Sequence, residues 1–187
     1  MAVKEDLRTQ VLYRIANLLH NNRMSGKNGI FKKGLSDKSY AIAGQHGVLL
    51  SEKPSWLKKV SSPLMTITLG KSIYLGEYFV EMPEEAQVAL IRHELVHVRQ
   101  QNMFTLPLFL FLYILILPIG VSIFRWLFEL EAYLETARAW HEQGYPEKVE
   151  STANHFAKSL AGKEYGWGFP VKWISVKVFM WRAKKFA

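Results

Sequence analysis

The sequence predicts an α+β domain, mostly helical. A small antiparallel β-hairpin or sheet precedes a long helix, and an apolar helical hairpin follows it. Three observations predict this. First, Met65-Thr66-Ile67-Thr68-Leu69 and Ser72-Ile73-Tyr74-Leu75 are alternating, β-branched runs separated only by Gly70-Lys71. Second, Pro83 opens a segment to Val98 that is apolar on nearly every side. Third, residues 104–124 carry no charge.

The chain has 187 residues, 49% of them hydrophobic and 13% aromatic, which suits one folded domain over 1–187 with a sizeable core. With no cysteine, disulfides and thiolate metal sites are excluded. The first six residues, Met1-Ala2-Val3-Lys4-Glu5-Asp6, lack the apolar core of a signal peptide, so a cytoplasmic location is expected, peripheral or monotopic at a membrane. No internal repeat is evident.

Taken in order, residues 1–38 read as an amphipathic helix over roughly 3–20 and a basic connection carrying Arg23, Lys27, Lys32, Lys33 and Lys38. A metal-site core is expected over 64–140. It begins with the hairpin, where Gly70 as the first residue of a two-residue turn suits type II′. In the following helix, Pro83 suits the first helical position, and Glu84 and Glu85 suit the positive end of the dipole. A helix apolar nearly all round is expected to be buried.

That buried helix carries His93-Glu94-Leu95-Val96-His97. An HExxH run sets two imidazoles one turn apart on one face with a carboxylate beside them, the pattern that holds zinc and activates a water on it. Burying these groups without partners is costly, and a bound Zn2+ offsets much of that cost. A third ligand must be His, Asp or Glu. Val98-Arg99-Gln100-Gln101-Asn102 after His97 excludes the HExxHxxGxxH arrangement. A later helix, Arg125 to Trp140, offers Glu129, Glu131 and Glu135. Glu131, Glu135, Arg138 and Glu142 recur at helical spacing as a charged stripe that supports itself in water. Glu129 instead shares a face with Ala132, Tyr133, Thr136 and Trp140, which makes it the preferred ligand and Glu131 the second choice.

HELVHVRQQ followed by Glu129-Leu130-Glu131-Ala132-Tyr133 resembles the gluzincins, the thermolysin-like peptidases and their minimal, partly membrane-associated relatives. Aligned on Ala132, the glutamate ligand of that group falls on Glu129. Its aspartate, which steadies a ligating histidine, falls on Tyr133, which can hydrogen-bond but supplies no charge. The resemblance covers roughly residues 64–140. It implies a zinc metallopeptidase acting on a peptide or protein, with His93, His97 and Glu129 on the metal and Glu94 as general base. In zincin-like domains an edge strand just before the active helix binds extended peptide by strand addition, which the hairpin is placed to do. Tyr133, His141, His155 and Tyr165 are unranked candidates for stabilising the oxyanion; His20 and His46 read as surface or loop residues. The alternative is a zinc-stabilised structural or assembly protein without turnover.

A closed metal site constrains the uncharged stretch. His97 and Glu129 must each lie ~2 Å from one ion, whereas a single bilayer span between them would part them by ~30 Å. The chain must therefore go out and return, turning at Pro118-Ile119-Gly120, with arms of about 108–117 and 120–129, each ~15 Å long. Pro146 opens a further helix striped by Val149, Ala153, Phe156, Ala157 and Leu160 and ended by Gly162. The tail, 163–187, interleaves Lys172, Lys177, Arg182, Lys184 and Lys185 with Trp173, Phe179, Trp181 and Phe186. With a net charge of +8, this tail and residues 104–124 are expected to meet an anionic membrane surface; the alternative is that the 104–124 hairpin is core or an oligomer interface. No nucleic-acid motif is present, and no nucleic-acid partner is expected.

Overall fold

A computed structural model describes residues 34–115, 123–160 and 172–185. The helix read over 3–20, most of the basic connection, the turn at 118–120, Gly162, Tyr165 and His20 lie outside these residues. The architecture is α+β and mostly helical, with a small mixed sheet set before a long helix.

The chain enters through α1 (Asp37–Gln45), capped by the Ser36 hydroxyl, which accepts from Ser39 N–H. β1 (Leu49–Glu52) and the short α2 (Ser55–Val60) follow. Then comes the hairpin, β2 (Ile67–Leu69) and β3 (Ser72–Leu75), antiparallel with Leu69 opposite Ser72. Gly70 at φ 58° supplies the left-handed turn residue that a two-residue loop needs. β1 adds to the other side of β3 in parallel, Leu50 opposite Ile73, so the strand order is β1-β3-β2 and β2 is an edge. The antiparallel pair is thus as expected, and the parallel third strand makes the sheet mixed. A 3-10 turn (Glu77–Glu81) leads through Pro83 into α3 (Glu84–Phe104), with the proline just outside the helix as its cap.

Helix α3 is buried on three sides. Ile91 and Val98 join Ala43, Val48, Leu50, Ile73 and Phe79 in a first core against α1 and the sheet. Glu94 and Gln101 face β2. His93, His97 and Gln100 face α5 (Ile123–Glu142), with which α3 makes its most extensive packing. On its other side α5 builds a second core with α6 (Lys148–Leu160) and α7 (Lys172–Ala183), through Leu130, Leu134, Ala137, Ala153, Phe156 and Phe179. The charged stripe on α5 is supported mainly from α3. Arg92 binds Glu135 and Glu142, Arg99 binds Glu131, and Arg138–Glu135 lies within the helix.

Between α3 and α5 the chain makes a sharp corner at Thr105, whose φ of 60° and ψ of 149° are a backbone conformation nearly confined to glycine. The short α4 (Leu106–Leu110) and a π-helical turn (Phe111–Leu115) follow. The Phe109 ring stacks on Phe128 at 5.1 Å, and the Tyr113 hydroxyl reaches Glu129, so the uncharged segment comes back onto α5. No helix among the described residues is long and apolar enough to cross a membrane.

Candidate metal centre

His93 and His97 stand one turn apart on α3, and Glu129 reaches between them from α5. One ligand atom from each lies within 4.8 Å of the other two, and all three residues are buried. The Nε2 atoms are 3.7 Å (His93) and 3.8 Å (His97) from the two oxygens of Glu129. These separations are too long for hydrogen bonds. Nor is the first an ion pair, because burial holds His93 well below its ordinary pKa, helped by the neighbouring His97 and His155. Tetrahedral zinc with bonds of about 2.0–2.1 Å would set its ligand atoms roughly 3.3 Å apart, so each of these two His–Glu separations would close by about half an ångström around an ion.

The outward nitrogens support the same use. Gln100 Nε2 donates to the Phe128 carbonyl and to Glu131 Oε2, so its oxygen is the atom 2.9 Å from His97 Nδ1. That arrangement demands a proton on Nδ1. Thr136 Oγ1 donates to the Ala132 carbonyl and stands 3.2 Å from His93 Nδ1, where only its lone pair faces the ring. With the proton held on Nδ1 in this way, Nε2 of the neutral imidazole is the lone-pair atom turned to Glu129, the tautomer a metal ligand requires. Glu131 has different partners: Arg99 at 2.5 Å and Gln100 at 2.8 Å.

Glu94 lies on the β2 side of the histidines, and the Thr68 hydroxyl donates to its Oε2 at 2.6 Å. Burial pushes the Glu94 carboxyl up and the charge of Glu129 adds to this, while His97 and the Thr68 bond oppose it. A buried carboxylate with a raised pKa beside a polarised site is suited to accept and return a proton.

Of the four residues read as oxyanion candidates, Tyr133 packs edge-on against the His93 ring at 4.7 Å, and His155 packs behind Tyr133. His141 is near the far end of α5. The hydroxyl that does reach the triad belongs to Tyr113, on the uncharged segment: it donates to Glu129 Oε1, and its ring faces His97 edge-on. His46 is exposed at the end of α1. Gln100, Thr136 and Thr68 carry no local signal in the sequence. Tyr113 alone had a hint, as the one polar-tipped ring in an uncharged run.

The edge strand is partly occupied. Thr68 stands opposite Ile73 in the pair whose backbone groups point away from β3, and its carbonyl accepts from Gln101 Nε2. Gln101 Oε1 accepts from Gly70 N–H. Strand addition along β2 is therefore limited at these two groups.

On this mostly helical α+β fold, the buried triad is a group that could hold a metal ion. Residues 64–104 match the eCIS core domain family, a zincin-like domain of extracellular contractile injection systems. The match includes the hairpin, His93, Glu94 and His97; Glu129 lies beyond it. No curated protein and no solved structure matches the chain.

Proposed function

We propose that the chain is a zinc-dependent metallopeptidase of the gluzincin type, in which His93, His97 and Glu129 hold the metal and Glu94 is the general base. The observation that carries this reading is a buried His-His-Glu triad with a second buried carboxylate, Glu94, beside it. Bound zinc supplies a Lewis acid that polarises a substrate carbonyl and brings a water's pKa toward neutrality. Glu94 takes a proton from the attacking water and returns it to the leaving amine. The Tyr113 hydroxyl, whose proton is given to Glu129, would have to turn from it to donate to the developing oxyanion. Gln100 and Thr136 keep both imidazoles in the ligating tautomer.

Glu94→Gln tests the assignment. It should retain about one zinc per chain and lose more than a hundredfold in peptide hydrolysis. A wild type that binds zinc and cleaves no member of a peptide library would leave the structural, non-catalytic reading instead. A wild type that binds no zinc would remove both.

The peptidase is also proposed to work against an anionic membrane surface, through residues 104–124 and the basic C-terminal helix. Supporting this, Leu106, Leu108, Phe111, Phe124 and Leu127 are all exposed beside the site, and the chain carries a net charge of +8. Phe179 of the tail is excluded from that surface, because it is fully buried in the second core. Trp181 remains exposed, with Lys185 over its ring.

A further inference from the structure

Thr68 makes two contacts with α3 through different parts of the residue. Its hydroxyl donates to Glu94 Oε2, and its carbonyl accepts from Gln101. Glu94 and Gln101 are two helical turns apart, on the one face of α3 turned to β2. All three residues are buried. The Gln101 amide is engaged at both ends, with its nitrogen on Thr68 and its oxygen on Gly70 N–H. It thus pins β2 at one height along α3. A slip of one residue would turn the Thr68 side chain to the opposite face of the sheet.

We propose that Thr68, held in register by Gln101, is a positioning residue for Glu94. A threonine hydroxyl has one proton, and here it is given to Oε2. That bond lowers the basicity of Oε2, so Oε1 is the atom better placed to take the proton from water and to hand it on. The hydroxyl also stops the carboxylate from rotating about its last bond. Proton uptake and release then occur at one fixed atom. This role rests on the metallopeptidase reading.

The test uses the full chain. Thr68→Val keeps strand propensity and shape while removing the donor. It should lower kcat about ten- to a hundredfold, as expected for a lost hydrogen bond to a charged group, with KM and zinc content unchanged. Thr68→Ser should restore most of kcat. In the metal-free protein, Thr68→Val should lower the thermal midpoint by roughly 3 °C or more in the wild-type background, and by nothing further in a Glu94→Ala background. An active wild type whose Thr68→Val variant keeps its kcat would overturn the positioning role alone, even if the midpoint falls. A zinc-loaded wild type that cleaves nothing would remove the metallopeptidase reading and this role with it.

Discussion

Two neutral side chains decide which nitrogen of each imidazole carries the proton. Where the gluzincin pattern has an aspartate, this chain has Tyr133, which packs its ring on His93, while Thr136 and the Ala132 backbone supply the hydrogen-bond partners. His97 relies on Gln100, itself fixed by two acceptors. An uncharged partner orients a ligand as well as a carboxylate does but raises its basicity less. The burial of His93 also has a consequence for stability. Its folded pKa lies well below 6.5, so below pH 6.5 the unfolded chain binds a proton that the folded chain refuses. Stability from this group is complete above pH 6.5 and is lost as pH falls. Glu94, whose folded pKa is raised, acts in the opposite sense at lower pH, so the two must be separated. Thermal midpoints of metal-free wild type and His93→Asn, followed from pH 8 to pH 5, do this. The wild type should lose stability relative to the variant below pH 6.5, and parallel curves would contradict the assignment.

At the scale of elements, backbone junctions set the site. Gly76, which ends the hairpin, lies against the Leu64 carbonyl so closely that a Cβ there would be 2.2 Å from the oxygen. Neither partner is a flexible side chain. Gly76→Ala should cost about 1–3 kcal/mol in urea unfolding, and an unchanged midpoint would show that the approach relaxes freely. The hairpin and α3 were legible because their signals are local: period-two alternation with a glycine turn, then a proline and two acids before an apolar helix. The nearness of Glu129 to the histidines was arguable from helical phase, since Glu131 falls some 200° away around the helix axis. β1 escaped notice because Leu-Leu-Ser-Glu is short and its parallel pairing with β3 is non-local. Thr68, Gln100, Gln101 and Thr136 escaped for a similar reason: their contacts depend on how β2 and α5 register against α3, which no single segment encodes.

Across the whole molecule, the metal centre lies between two cores, one built on the sheet and one on α5, α6 and α7. The described part of the uncharged segment belongs fully to neither. Phe109 and Phe128 are buried, while Leu106, Leu108, Phe111, Phe124 and Leu127 are exposed. The same segment brings Tyr113 to Glu129, so whatever covers its outer face lies within one side chain's reach of the metal ligands. Flotation with vesicles containing phosphatidylserine should carry the protein upward at low salt and release it partly as salt rises, since the basic surface is screened over about 10 Å at 0.1 M. Leu108→Asp with Phe111→Asp should abolish flotation. Protein that stays at the bottom of a low-salt gradient would exclude the membrane as partner.

The Gln101 clamp has an effect that reaches past Glu94. An unpaired strand edge is a template on which other chains nucleate aggregates. Here the carbonyl of Thr68 and the N–H of Gly70 are already satisfied by a side chain of the same molecule, much as a passing strand would satisfy them. The residue that sets the register of β2 over α3 therefore also occupies part of the sheet border on which another strand would otherwise pair.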